Sequence, residues 1–259
     1  MPSVCATARR GVNRLGAFAL VLALAVFAAP APVKAESFTP AQKQELDQII
    51  HDYLLQHPEA IMESVKAMQA KSDAETAARQ RKTIVDRRRE IFADPDSAVG
   101  GNPKGDVTLV EFFDYRCPYC KQIEPSLDAL IKEDGKLRVV YKELPILGPP
   151  SVFASRAAIA ARKQGKYDAF HSRMMAFKGT IDSDAVLKVA TAAGLDLDRL
   201  KTDMAAPEID KIIKRNYALA EALAIDGTPG LIVGDDLAVG AVDLDTLRKM
   251  IAAARKKGG

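Results

Sequence analysis

Residues Val107 to Gln122 read V-T-L-V-E-F-F-D-Y-R-C-P-Y-C-K-Q. An apolar, β-branched and aromatic run ends in Cys117-Pro118-Tyr119-Cys120, and a helix-compatible segment follows. The stretch therefore reads as a buried strand turning directly into a helix. Two cysteines three apart at such a junction can face each other across one helical turn, close enough to make and break a disulfide. The first would stand at the helix N-terminus, where unpaired N–H groups and the helix dipole favour an anion, and so the reactive thiolate.

The rest of the composition frees this pair for chemistry. The chain has 259 residues, enough for one medium domain plus extras, and a net charge of +3. Arg9, Arg10, Arg14 and Lys34 lie in the first 35 residues, which contain no acid, and without them 33 basic residues face 34 acidic ones. There is thus no electrostatic case for nucleic acid or an anionic membrane. The same 35 residues read as a secretory signal, with a basic start, an apolar stretch from Leu15 to Ala29, and Val33-Lys34-Ala35 as a cleavage site. As a helix the apolar stretch is about 22 Å long, short of the ~30 Å hydrocarbon core. Cleavage after Ala35 and a periplasmic location, with no membrane attachment afterwards, are expected.

Of the three cysteines, Cys5 leaves with the signal, so the mature chain keeps only Cys117 and Cys120. An exported protein with one tight C-x-x-C and no other cysteine is not using cysteine as a staple. A three-residue spacing closes too small a loop to restrain the unfolded chain. Zinc wants four ligands, and His51, His57 and His171 show no spacing that completes a site. A Cu(I) site made by the thiolates of Cys117 and Cys120 needs no further residue and stays open as a secondary activity. In a dithiol, Cys117 is the exposed nucleophile and Cys120 the buried resolving thiol. Pro118 stiffens the loop, and Tyr119 brings polarity without positive charge. A histidine there would make a stronger oxidant, so Tyr119 points to a milder one.

Around this centre the chain divides. Thr39-Pro40-Ala41-Gln42 is a capping box opening a helix with Leu46, Ile49, Ile50, Tyr53 and Leu54 on one stripe. His57-Pro58 breaks it, and a second helix follows with Ile61, Met62, Val65 and Met68 along one side. Two such helices cannot fully bury their stripes against each other, so residues 36–70 need a partner surface. Residues 71–97 are dense in charge and read as a solvated helix or mobile spacer. From residue 98 the pattern becomes α/β: a second strand at Leu137 to Leu144, an Ala-rich helical insertion from about 150 to 224, a short hairpin around Gly234-Asp235-Asp236, and a closing helix from Asp243. The first helix of this domain, after Pro118, is expected to be interrupted or kinked at Pro125.

Downstream lies Gly227-Thr228-Pro229-Gly230, followed by Leu231-Ile232-Val233. A Thr-Pro before a strand is ordinarily a plain loop, since only about 5% of X–Pro bonds are cis. Together with the upstream C-x-x-C, however, it resembles the thioredoxin fold, in which a cis-proline loop faces the active-site cysteines. More narrowly, Glu111-Phe112-Phe113 leading into the cysteines, the helical insertion, Tyr141-Lys142-Glu143-Leu144-Pro145-Ile146-Leu147-Gly148 and Gly227-Thr228-Pro229 resemble the DsbA family of exported thiol oxidoreductases. The segment Gln48 to Glu59 is similar to the oligomerisation segment of ScsC, a DsbA-like protein linked to copper tolerance.

This resemblance implies Cys117 as the attacking thiol, Cys120 as its partner, Pro229 as the cis-proline, and Thr228 as a backbone contact for an extended substrate. It also implies Glu111 as a buried acid that moves protons to and from the buried thiol, with Lys142 as its partner. The chain departs from DsbA by having Tyr119 in place of histidine and Thr228 in place of valine. Thr at that position also occurs in the isomerase DsbC. The expectation is a periplasmic disulfide isomerase or reductase without a cofactor, self-associated with a trimer favoured. It would act on misfolded or disulfide-containing exported proteins and be kept reduced by a membrane thiol reductant. A monomeric DsbA-like oxidase is the alternative enzyme, and a copper-binding protein or holdase the alternative from another class.

Overall fold

The computed structural model describes residues 38–258; the expected signal, its cleavage after Ala35, and Cys5 lie outside the described residues. The chain divides into two compact units, Met1–Ala60 and Ile61–Gly259.

In the first unit, α1 (Pro40–Gln56) starts as its sequence dictates. Thr39 Oγ1 accepts from Gln42 N–H at 3.3 Å, and Gln42 Oε1 accepts from Thr39 N–H at 2.9 Å, with Pro40 in the first turn. No residue of α1 is buried, and the stripe residues Ile49, Ile50 and Tyr53 are about half exposed.

The second unit takes in most of α2 (Pro58–Asp86). Ile61, Met62, Val65 and Met68 are exposed along it. Its C-terminal part behaves differently from the solvated spacer expected for residues 71–97. Ile84 of α2 and Ile91 of α3 (Arg88–Phe92) are fully buried, in one cluster with Leu219, Leu223 and Ile232. Gln80 Nε2 donates to Leu223 O at 3.0 Å, while Arg81 and Arg88 pair with Asp236 and Asp235. The physical reason is a sparse apolar signal: two isoleucines seven apart among charges suffice to dock the segment, each burial contributing about 2 kcal/mol.

The sheet is built from β1 (Ala98–Gly101), β2 (Val107–Phe113), β3 (Leu137–Glu143), β4 (Gly230–Val233) and β5 (Asp236–Val239), in the order β1-β3-β2-β4-β5. β2 and β3 run parallel, joined by α4 (Pro118–Asp134); every other pairing is antiparallel. β1, too short and glycine-rich to be expected from the sequence, pairs with β3 in the register Ala98 to Tyr141. Pro125 lies inside α4, yet the helix continues through it and ends at Gly135, whose φ of 62° is the left-handed geometry glycine adopts freely.

The inserted block comprises α5 (Pro149–Lys163), α6 (Tyr167–Ala176), α7 (Ser183–Ala192), α8 (Leu197–Met204) and α9 (Pro207–Ala222). Asp182 and Asp196 cap α7 and α8, and Asp243 caps α10 (Leu244–Lys256). This is the thioredoxin fold with a helical insertion.

Strand periodicity sorts the two cores. Leu109, Phe113, Leu137, Val139 and Tyr141 face the larger cluster with α4, α5 and α6. Val110, Phe112, Val140 and Ile232 face the smaller one, where Ile84 and Ile91 sit. Which side chains can meet the cysteines is decided by this alternation.

Candidate active site

Cys117 is the N-cap residue of α4, with Pro118 in the first turn and Cys120 one turn further in. Its backbone N–H donates to Asp114 O at 3.0 Å. The buried carboxylate of Asp114 accepts from Arg116 N–H at 2.7 Å, Leu147 N–H at 3.0 Å and the Ser151 hydroxyl at 2.8 Å. Arg116 also donates through its guanidinium to Leu147 O. Asp114 thus ties the cysteine turn to the Leu144 to Gly148 loop, a role sequence reading missed because an acid at a strand end ordinarily faces water.

Both cysteines are free thiols. Cys117, expected to be exposed, is instead buried at 5% exposure because its thiol turns onto the cis-proline loop, and Cys120 is fully buried as expected. The Cys117 thiol donates to Thr228 O at 3.2 Å, and the Thr228–Pro229 peptide bond is cis. Thr228 is buried, with its hydroxyl unpartnered, whereas Tyr119 is 59% exposed. Burial pushes the Cys120 thiol up, and the charge of Glu111 pushes it the same way. Cys120 therefore needs a base before it can act as a nucleophile.

Glu111 is fully buried on the cysteine side of the sheet, in register with Tyr141 and Leu231, and neither carboxylate oxygen has a hydrogen-bond partner. Burial, then the charges of Glu124, Glu143 and Cys117, hold its carboxyl well above the usual range. Lys142 is not its partner. Glu111 registers with Tyr141, so Lys142, one residue on, points through the opposite face. There its ammonium donates to Asp94 Oδ2 and Glu90 O, both at 2.8 Å. The Glu111–Lys142 pairing is thus corrected by the period of two in β3.

Glu143 and His171, both buried, share the cysteine side. Glu143 Oε1 accepts from Tyr167 at 2.9 Å and Tyr115 at 3.2 Å, and Oε2 from Ser155 at 2.7 Å. Burial pushes its carboxyl up to about 8, against these three donors. His171, 2% exposed, packs among Phe113, Tyr141 and Tyr167 with its Nδ1 3.1 Å from the Tyr115 hydroxyl. The one signal available in the sequence was the alternation 111, 113 and 141, 143, which puts both glutamates on the cysteine face. Among the described residues, no three His, Cys, Asp or Glu side chains are arranged to hold a metal ion.

Comparison with known proteins agrees with this geometry. Residues 108–252 match the family described as DSBA-like thioredoxin domain, and residues 42–75 the one described as copper resistance protein ScsC N-terminal domain. A thioredoxin-like oxidoreductase from Silicibacter pomeroyi is 47% identical, covering 65% of this chain and 98% of its own, with a TM-score of 0.64. ScsC of Proteus mirabilis, in a transitional conformation, is 28% identical over 85% of this chain and 100% of its own, also with a TM-score of 0.64. The Na(+)/H(+) antiporter NhaA 3 of Salinispora tropica is 30% identical over 167 residues, which are 63% of this chain but only 26% of the antiporter. Among the described residues no helix is long and apolar enough to cross a membrane.

Proposed function

The chain belongs to the DSBA-like thioredoxin domain family, and on that premise we propose that it is a thiol-disulfide oxidoreductase working as an oligomeric disulfide isomerase or reductase. The observation that carries the chemistry is the placement of Cys117: at the cap of α4, with its thiol against Thr228 O and Cys120 one turn behind. Cys117, as thiolate, attacks a sulfur of a client disulfide; a mixed disulfide forms and the client's other sulfur leaves as thiolate. Glu111, once ionised, then takes the proton of Cys120, whose thiolate attacks the Cys117 sulfur, releasing the client as thiolate and closing the Cys117–Cys120 disulfide. In the isomerase mode the client's own thiolate attacks the mixed disulfide instead, and Cys117 returns reduced. Thr228 and Pro229 serve as the ledge on which an extended client segment lies, beside Pro118 and Tyr119.

Direction is argued from Tyr119, which brings no positive charge to stabilise the thiolate, and from Thr228. Both favour reshuffling over strong oxidation. Self-association is argued from the exposed apolar residues of α1 and of Ile61 to Met68, together with the ScsC N-terminal match over the same segment. We read residues 36–70 as the assembly segment, a trimer favoured, with the redox domain beyond it. Several catalytic heads joined in one particle raise their effective concentration on one client. The signal-like leader argues for the periplasm, where clients would be misfolded exported proteins and the electron donor a membrane thiol reductant.

Light scattering on the chain begun at Glu36 and on one lacking residues 36–69 tests the assembly. The first should have a multiple of the protomer mass and the second the protomer mass. Equal protomer masses for both would sink it.

A further inference from the structure

The cysteine turn has two flanks. β2 lies between β3 and β4, with β3 parallel to it and β4 antiparallel. The residues after β3, 144–148, and those before β4, 227–229, therefore come to the same end of the sheet as Cys117, one on each side. The second of these carries the client ledge at Thr228 and Pro229. The first is tied to the cysteine turn by Asp114, by Arg116 and by the Leu144 N–H, which donates to Phe113 O at 2.9 Å. The Tyr217 hydroxyl donates to Pro145 O and holds the same loop from α9.

Arg116, the residue immediately before Cys117, is exposed, and its Nη1 donates to Leu147 O, which keeps the guanidinium on the flank of residues 144–148. Its other guanidinium N–H groups have no partner among the described residues. Arg88, Arg156, Arg215 and Arg255, by contrast, are each paired with a carboxylate. The nearest acid in sequence, Asp114, is buried and accepts instead from the Arg116 and Leu147 backbone N–H groups and the Ser151 hydroxyl. A guanidinium already held by one N–H loses less side-chain freedom when the rest of its fork meets a carboxylate. Ile146 and Leu147 are 40% and 41% exposed beside it. A client that covers them excludes water from such a pair and strengthens it.

We propose that Arg116 is a specificity-determining residue: it reads the charge beside a client's reactive cysteine and favours acidic neighbours. The inference rests on the reading of Cys117 as the attacking thiol. When an extended client lies on Thr228 and Pro229 with its sulfur at Cys117, its chain crosses the cysteine turn. A side chain next to its cysteine then comes to the flank that carries Arg116. A carboxylate there meets a cation without a counter-charge, and an ammonium is repelled. The opposite flank carries Asp226, exposed two residues before Thr228, so the two edges of the turn differ in sign. Lys121 of α4 is committed to the carbonyls of Met174, Met175 and Phe177 and offers a client nothing.

The test uses the reduced chain begun at Glu36 and three peptides, identical except that Glu, Gln or Lys stands on both sides of a single cysteine. Each peptide carries that cysteine as its 2-thiopyridyl disulfide. The Cys117 thiolate attacks the peptide sulfur, the Cys117–peptide disulfide forms, and the thiopyridyl sulfur leaves with the electron pair, so 2-thiopyridone release gives the rate. Each rate is divided by that of dithiothreitol with the same peptide, which removes the peptides' own reactivity. The Glu peptide should react about threefold faster than the Gln peptide at low salt, the Lys peptide slower than both, and the spread should close as salt is raised.

Arg116→Gln should bring the three rates together, and Arg116→Glu should reverse their order. A residue that only holds the loop would change all three alike. Alkylation of Cys117 by iodoacetamide, a neutral reagent, reports any change in the thiolate that is common to all clients. Asp226→Asn should keep the order of the wild type. Equal rates from the wild type, or the wild-type order in Arg116→Glu, overturn the inference and leave Cys117 as the attacking thiol. Release from none of the peptides overturns that assignment and the inference with it.

Discussion

The thiol of Cys117 donates to the backbone carbonyl of Thr228 at 3.2 Å, across 111 residues of sequence. Of the two cysteines only Cys117 keeps any exposure, 5%, while Cys120 is fully enclosed. Cys120→Ser should therefore accumulate a mixed disulfide at Cys117, and Cys117→Ser should form none. Non-reducing mass spectrometry after exposure to glutathione disulfide reads both; adducts of equal yield would reverse or void the assignment.

Lys142 is bound to Asp94 on the face away from the cysteines. Lys142→Met should lower stability by about 3 kcal/mol, because it removes the nearest cation from Asp94 and leaves it only the longer pairing with Arg215 at 3.6 Å. The rate of thiol exchange per folded molecule should not change. Urea melts and exchange kinetics separate the two effects, and a slowed Cys120 step with unaltered stability would restore Lys142 to the redox centre.

Burial raises the Glu143 carboxyl from 4.5 to about 8. Between those values the folded chain holds a proton that the unfolded chain has released. The stabilising contribution is therefore complete below the unfolded value and is lost as pH rises through about 8, at most about 1.4 kcal/mol per pH unit. Glu143→Gln has nothing to titrate. The stability of the wild type relative to this variant should fall between about pH 5 and 8 and level off above; a difference independent of pH contradicts the shift.

Ile84 joins the core beneath the sheet although it sits in a highly charged helix. Ile84→Ala should cost the redox domain about 3 kcal/mol, measured by urea unfolding of the chain lacking residues 36–69. An unchanged midpoint would return the segment to the role of a free spacer.

Much of the fold was legible because its signals are local. The strand ending in Cys117-Pro118-Tyr119-Cys120, the capping box at Thr39 and Gln42, the hairpin at Gly234 and the cap at Asp243 each announce themselves within a few residues. What escaped depends on pairing between distant segments. β1 is too short and glycine-rich to stand out before β3 gives it a partner. The docked part of α2 and α3 rests on two isoleucines. Lys142 was assigned by adjacency in family pattern, while the pleat of β3 sends it the other way. Asp114, Glu143 and His171 are polar side chains in unexceptional surroundings until Ser151, Tyr115 and Glu124 close around them.

The central claim is a dithiol that reshuffles disulfides because several heads act together. Refolding of a scrambled-disulfide substrate tests it most directly, comparing the chain begun at Glu36 with one lacking residues 36–69, both reduced and at equal head concentration. The account predicts that the shorter chain keeps exchange with glutathione disulfide but loses reshuffling by about tenfold or more. Equal recovery of native substrate by the two chains would contradict it.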